Sequence, residues 1–188
     1  MPTFRTSQPV SAANPSLPHI VLVGLPGSGK STVGQLLAEK LERSFLDFDR
    51  EISRREGMTI AEIFAQRGEP YFRKLEHDLT AELKELGNMV LSPGGGWVVA
   101  PETVALIRPP AKLVYLKVRP ATALKRMALK RASRPLLQRP DPLSELERLL
   151  AARYRGYEAA DFTVDVERLD QQGVVSQILK KLSSFSAG

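Results

Sequence analysis

Residues 24–32 read GLPGSGKST and place three glycines, one lysine and three hydroxyl side chains in one short stretch. Glycines let the backbone curl so that successive N–H groups point into one concavity, which is a geometry that binds phosphate. Lys30 is placed to reach the β- and γ-phosphates of a nucleotide, and the Ser31 hydroxyl to ligate Mg²⁺. The spacing therefore predicts a nucleotide site, whose expected contacts are Gly27, Ser28, Gly29, Lys30, Ser31 and Thr32.

The flanking segments are of the kind that holds such a loop in shape. An apolar, β-branched run at 19–23 precedes the loop, and apolar residues at helical spacing follow it over 33–41. In a strand–loop–helix arrangement, the start of the helix adds unpaired amide donors and the positive end of its dipole. A glycine-rich turn without a ligand is the alternative, but the full pattern with both flanks favours the nucleotide site.

Two acids, Asp47 and Asp49, end the short strand predicted over 43–49. Side chains two residues apart in an extended segment leave the same face, and the carboxyl end of a strand beside the phosphate loop borders the site crevice. One acid would then hold the hydration shell of Mg²⁺ while the other meets a substrate hydroxyl. The alternative is that both are turn and N-cap acids of the following helix.

Four further features have a functional and a purely structural interpretation. Arg73 is either a ligand contact or a surface residue paired with Glu76 at i+3. The glycines at 94–96 allow close backbone approach to a ligand, or they form a plain turn. Arg134 lies in a basic, proline-broken segment and is either a ligand contact or part of a solvated loop. Arg153 continues an apolar helical stripe and needs a counter-anion, which a substrate or a structural carboxylate would supply.

Strands alternate with helices along the chain, which predicts one α/β domain over 19–188 with about five parallel strands covered on both faces. Residues 1–18 contain four prolines and no continuous apolar run, and we expect a disordered tail there. The predicted strands are 19–23, 43–49, 89–92, 112–118 and 162–166. The predicted helices are 33–41, 49–57, 59–67, 70–86, 101–108, one from 120, one through 143–150 and 174–182.

Composition excludes several classes of protein. The 188 residues include no cysteine, which rules out disulfides and thiolate chemistry and fits a reducing compartment, so we expect a cytoplasmic protein. No apolar run is long enough to cross a bilayer. The basic residues behind the net charge of +6 are spread along the chain except for a cluster at 125–139, and no aromatic-interleaved RNA motif is visible, so we expect a small anionic substrate and no nucleic acid. Without an exposed heptad seam, a monomer is expected.

These motifs, in this order, resemble the shikimate kinase family. The resemblance covers nearly all of 19–182. It rests on GLPGSGKST at 24–32, FLDFD at 45–49, GMTIAEIFAQRGEPYFRKLE at 57–76, GGG at 94–96, RPLL at 134–137 and RYRGYEAAD at 153–161. It implies a three-layer P-loop kinase fold, with a five-stranded parallel sheet, helices on both faces and a mobile lid at about 126–142. It also implies phosphorylation of the 3-hydroxyl of shikimate by ATP with Mg²⁺, a step of chorismate and aromatic amino-acid biosynthesis.

The resemblance assigns roles to individual residues. The catalytic set that it implies is Lys30, Asp49 and Arg134, the last as a lid arginine that closes over the phosphates. Shikimate contacts would be Asp49 at the ring hydroxyls, Arg73 and Arg153 at the carboxylate, and the backbone of Gly94, Gly95 and Gly96. Arg126 and Gln171 would border the adenine. The metal would be bound by Ser31, would contact Asp47 through a water molecule, and would lie near Ser92.

Three features depart from the family pattern: Pro93 before the glycines, Trp97 after them, and the pair Arg155–Gly156 shortly after Arg153. They bear on substrate fit and on the geometry of the two arginines, and they remove no predicted catalytic side chain. Two other functions are compatible with the same motifs. One is a kinase for another small hydroxy acid such as gluconate, and the other is a non-catalytic shikimate-kinase-like sensing module.

Overall fold

The computed structural model describes residues 17–129 and 140–186. Five strands form one parallel sheet in the order β2-β3-β1-β4-β5. The strands are β1 (Ile20–Val23), β2 (Ser44–Asp47), β3 (Met89–Ser92), β4 (Lys112–Lys117) and β5 (Phe162–Asp165). The helices are α1 (Lys30–Lys40), α2 (Phe48–Glu56), α3 (Ile60–Leu83), α4 (Pro101–Ala105), α5 (Pro120–Leu129), α6 (Pro142–Glu158) and α7 (Gln171–Ser186), with a 3₁₀ turn at Trp97–Val99.

The central strand β1 shows why the sheet is covered on both sides. All four of its residues are buried, although successive side chains point to opposite faces of a strand. Its neighbours are β3 and β4, with Ile20 in register with Val90 on one side and with Lys112 on the other. The strand order therefore reverses at β1, and in such sheets ligands bind beside the carboxyl ends of the strands at this point.

The five predicted strands and the helices that alternate with them are confirmed, with shifted ends. The predicted helices 59–67 and 70–86 are the two parts of α3, which bends at Gly68 because the φ of 79° and ψ of 171° there are not helical. At the start of α3, Thr59 Oγ1 accepts a hydrogen bond from Glu62 N at 3.2 Å, and Glu62 Oε2 accepts one from Thr59 N at 2.7 Å. Together these two hydrogen bonds form a capping box at the start of the helix.

The second strand ends earlier than predicted, at Asp47, because α2 begins at Phe48. The expectation that Asp47 and Asp49 leave one face of an extended segment is therefore wrong. Asp47 is the N-cap of α2 and accepts a hydrogen bond from Arg50 N at 3.3 Å, while Asp49 lies in the first helical turn. Carboxylates are stabilised there by the unpaired amides and by the positive end of the helix dipole.

Two predicted segments, the N-terminal tail and the lid, lie largely outside the described residues. Most of the predicted tail, 1–16, lies outside the described residues, but Pro18 O accepts a hydrogen bond from Arg43 Nη1 at 2.9 Å. Of the expected lid at 126–142, residues 130–139 also lie outside, and Arg134 with them. Within the part of the chain that the structure describes, none of the helices has the length and apolar character needed to span a bilayer.

Candidate active site

The phosphate loop joins β1 to α1, and α1 begins at Lys30, three residues before the predicted helix. Gly29 precedes the first helical turn with φ 98°, a left-handed conformation that favours glycine. A side chain at Gly27 would meet α5, since a Cβ there would lie 2.5 Å from Ala123 O. The Ser28 hydroxyl is buried and has no hydrogen-bond partner among the described residues. The Ser28 hydroxyl and the residues at the start of α1 thus border the cleft over the loop.

A cleft of about 1000 Å³ opens over this loop. It is lined by loop and sheet-edge residues that include Gly27, Ser28, Gly29, Lys30, Ser31, Thr32, Asp47, Asp49, Ser92, Gly94, Gly95, Arg126 and Gln171. All the nucleotide and metal residues predicted from the sequence therefore border one cavity, apart from Arg134, which lies outside the described residues. A second groove of about 640 Å³, between β5 and α6, contains none of the predicted site residues.

Two side-chain oxygens that could bind a metal ion, from Ser31 of α1 and Asp47 of β2, meet inside the cleft. Ser31 Oγ donates a hydrogen bond to Asp47 Oδ2 at 2.5 Å, and Ser92 is paired in register with Asp47 on the neighbouring strand. A hydroxyl and a carboxylate are hard oxygen ligands of the kind that Mg²⁺ takes alongside water and phosphate oxygens. Within 17–129 and 140–186 there is no group of three or more His, Cys, Asp or Glu side chains that would form a protein-only metal cage.

Two cations of the cleft, Lys30 and Arg126, donate hydrogen bonds to backbone carbonyls. Lys30 Nζ donates to Gly24 O at 2.8 Å and to Leu25 O at 3.1 Å, so the ammonium lies against the start of its own loop. Arg126 Nη2 donates to Val166 O at 2.5 Å and thereby joins α5 to the segment that follows β5. That segment leads to the start of α7, where Gln171 borders the same cleft.

The segment 94–97, called the glycine turn below, closes with a hydrogen bond from Trp97 N to Gly94 O at 3.0 Å. A Cβ on the first glycine would lie 3.2 Å from Asp49 Oδ1, and one on the second would lie 2.8 Å from Arg153 Nη1. On the third glycine a Cβ would collide with the guanidinium of Arg73. Three helices, α2, α3 and α6, thus bring Asp49, Arg73 and Arg153 against one stretch of bare backbone.

Glu76, a buried acid beside this turn, has a strongly shifted pKa. Its side chain is 2% exposed and forms an ion pair with Arg73 at 2.5 Å through Oε2, so the i+3 pair of the structural alternative is present, but with a buried acid. Oε1 has no hydrogen-bond partner among the described residues and faces Gly94. Burial raises the pKa of Glu76 to about 7, which outweighs the lowering by Arg73, and the charge of Asp49 adds to the rise. Desolvation therefore dominates this site.

The sequence motifs alone did not reveal the burial of Glu76, although a signal was present. The buried residues of the second half of α3 are Phe72, Glu76, Leu79, Thr80 and Leu83. Their spacing of three or four residues is that of one helical face, so the acid lies in the stripe that faces the core.

A family model described as shikimate kinase matches residues 26–183. The chain belongs to the shikimate kinase family. It is 41% identical over 167 residues to the shikimate kinase of Moorella thermoacetica, with 89% of this chain and 95% of that protein covered.

Solved structures place the family within a wider fold. A shikimate kinase from Acinetobacter baumannii in complex with shikimate has a TM-score of 0.83 and 37% identity, covering 90% of this chain and 95% of that one. A gluconokinase from Sinorhizobium meliloti reaches a TM-score of 0.59 at 20% identity, over 89% of this chain and 93% of that one, and so shares the fold alone. The resemblance to shikimate kinase, the P-loop kinase fold and the assignment as a phosphotransferase are thereby confirmed.

In this member of the shikimate kinase family, two aromatic residues complete the surroundings of the glycine turn. The contacts of neither residue were predicted from the sequence. Trp97 is 1% exposed, and its indole Nε1 donates to Thr80 Oγ1 at 3.0 Å. Tyr157 is fully buried, and its hydroxyl donates to Gly95 O at 2.9 Å. Tyr157 lies one helical turn after Arg153 on α6, a spacing that marks it as a neighbour of that arginine.

Proposed function

We propose that this protein transfers the γ-phosphoryl group of ATP to the 3-hydroxyl of shikimate, as a step in making the precursor of the aromatic amino acids. The observation that carries the proposal is the position of the glycine turn. It lies beside the phosphate-loop cleft, and the side chains of Asp49, Arg73 and Arg153 occupy the space where a Cβ on its glycines would lie. An acid and two arginines around bare backbone fit a substrate that carries one carboxylate and several hydroxyls.

The nucleotide half of the site is the phosphate loop and the residues beside it. The amides of Gly27, Ser28 and Gly29 would hold phosphate oxygens, and Lys30 would exchange its backbone carbonyl partners for the β- and γ-phosphates. Mg²⁺ would be held by Ser31, by Asp47 through water and near Ser92, and when bound it neutralises charge on the phosphates. The adenine would lie between Arg126 and the segment at Gln171.

The acceptor half orients the hydroxyl. Arg73 and Arg153, called the carboxylate clamp below, would bind the shikimate carboxylate through charge-assisted hydrogen bonds, and the backbone at 94–96 would support the ring. Asp49 would accept a hydrogen bond from the 3-hydroxyl and take its proton as the bond to phosphorus forms. Because phosphoryl transfer depends chiefly on alignment and charge neutralisation, orientation by Asp49 contributes at least as much as its basicity.

Arg134 belongs to the proposal on the strength of the family motif RPLL at 134–137. It would fold over the phosphates from the lid at 126–142, add positive charge to the transferring group and exclude water, so that ATP is not hydrolysed. We propose in addition that the protein works as a cytoplasmic monomer without nucleic-acid or membrane partners. The absence of cysteine supports the reducing compartment.

A coupled ADP-release assay with ATP and Mg²⁺ tests the proposal, with shikimate, gluconate or no acceptor in parallel. We expect turnover with shikimate well above the two other reactions, and its loss in Lys30→Ala, which controls for a contaminating kinase. Turnover with gluconate alone would support the alternative small-acid kinase. Calorimetric binding of shikimate with no ADP release would support the sensing module, and either result would overturn the proposal.

A further inference from the structure

The two arginines of the carboxylate clamp come from different helices, Arg73 from α3 and Arg153 from α6. The glycine turn lies between them, with its second glycine against Arg153 and its third against Arg73. A planar guanidinium binds a carboxylate well only when the distances and angles of the fork are right. Whatever fixes the turn relative to each helix therefore also fixes the two arginines relative to each other.

On the α3 side, the connection is made by Trp97. Its indole Nε1 donates to Thr80 Oγ1 at 3.0 Å, and the Thr80 hydroxyl donates to Glu76 O, one turn earlier on the helix, at 2.6 Å. All three groups are buried, and a hydrogen bond in such surroundings is costly to leave unmade. The indole thus anchors the turn to the helical segment that carries Arg73 and its buried partner.

On the α6 side, the connection is made by Tyr157. Its hydroxyl donates to Gly95 O at 2.9 Å, and its ring stacks on Tyr115 of β4 with centroids 5.0 Å apart and an interplanar angle of 14°. Gly156 lets the helix come close, because a Cβ there would lie 2.7 Å from Val98 O. The bond from Tyr157 thus ties the turn to the helix that carries Arg153, at the carbonyl of Gly95, the glycine that lies against Arg153.

We propose that Trp97 and Tyr157 are positioning residues that set the separation of the two clamp arginines, by tying the glycine turn to α3 and to α6 respectively. The inference rests on the proposed function, in which these arginines bind the substrate carboxylate. The carboxylate takes no part in phosphoryl transfer, so the clamp holds it equally in the ground state and the transition state. Loosening the clamp then raises KM for shikimate and leaves kcat and the KM for ATP unchanged.

The test uses Trp97→Phe and Tyr157→Phe in the full chain, since each removes one hydrogen-bond donor and keeps an aromatic ring. Tyr154→Phe is the matched control, because Tyr154 lies on the same helix and is 50% exposed. We expect KM for shikimate to rise about threefold to tenfold in Trp97→Phe, the size that the loss of one neutral hydrogen bond gives, and to stay at the wild-type value in the control. In Tyr157→Phe we expect a rise of at least this size, because the Tyr157 hydroxyl also forms a hydrogen bond with Arg153.

Thr80→Val removes the other partner of the indole bond and serves if Trp97→Phe does not fold. Combined with Trp97→Phe, it is expected to add little, because both changes break the same bond. A merely structural role would lower the active fraction and so the apparent kcat, with both KM values unchanged.

Two results would overturn the inference: a KM for shikimate that stays within about twofold of wild type in the variants, or a parallel rise in the KM for ATP. The proposed function is tested separately by the wild-type protein, since absence of turnover with shikimate there contradicts that function itself.

Discussion

Glu76 makes the stability of this protein depend on pH in a direction opposite to that of most acids. Burial raises its pKa from the ordinary value of 4.5 to about 7, which outweighs the lowering by the ion pair with Arg73. Between these two values the folded protein holds a proton that the unfolded chain has released. Stability from this group is therefore fully present below about pH 4.5 and is lost as the pH rises through about 7.

The size of the effect follows from the shift. One pKa unit corresponds to about 1.4 kcal/mol, so wild type should lose about 2–3 kcal/mol of unfolding free energy from this group between about pH 5 and pH 8. In Glu76→Gln the side chain at position 76 is neutral at both pH values, so the variant lacks this loss of unfolding free energy. The free energy of unfolding of the variant, relative to wild type, should therefore increase by about 2–3 kcal/mol over the same range.

Urea denaturation of wild type and Glu76→Gln at the two pH values measures this difference directly. Glu69→Gln is the matched control, because Glu69 pairs with the same Arg73 at 2.7 Å but its side chain is 62% exposed. We expect its unfolding free energy to follow that of wild type, since exposed ion pairs contribute little. If Glu76→Gln also follows wild type at both pH values, burial does not dominate the titration of Glu76 and the argument fails.

Three further predictions concern substrate binding and catalysis. Arg73→Ala or Arg153→Ala should raise KM for shikimate about 10- to 100-fold through the loss of a charged hydrogen bond, and an unchanged KM would remove that arginine from the clamp. Asp49→Asn should reduce kcat by about 10²–10⁴ if the carboxylate takes the proton, and an unchanged kcat would exclude that role. Shikimate should alter the fluorescence of Trp97, the single tryptophan, through the glycine turn; a flat titration in active protein would contradict this coupling.

The nucleotide half of the site could be predicted because its information is local. The loop at 24–32 is continuous in sequence, and its glycines, lysine and hydroxyls determine a phosphate site wherever a strand precedes and a helix follows. The capping box of Thr59 and Glu62 was predictable for the same reason, since both partners lie within four residues.

The acceptor half was less predictable because it depends on how distant elements pack. The sequence identifies Asp49 as an acid near the end of a strand, but where β2 ends and α2 begins is decided by the capping of the helix at Asp47. Likewise, the bonds from Trp97 to Thr80 and from Tyr157 to Gly95 join residues 17 and 62 positions apart. Helical periodicity predicts that Thr80 and Tyr157 face inward, but it does not predict their partners in the glycine turn.

The two acids on Arg73 indicate how the clamp admits a carboxylate. Arg73 Nη2 donates to Glu69 Oε1 at 2.7 Å and Nη1 to Glu76 Oε2 at 2.5 Å, so both sides of the guanidinium are engaged in the protein. The pair with Glu69 is exposed, and breaking it costs little because water replaces the contact. The pair with Glu76 is buried, and breaking it would leave a desolvated charge without a partner. We therefore expect a substrate carboxylate to displace Glu69, while Glu76 keeps the guanidinium in place against the glycine turn.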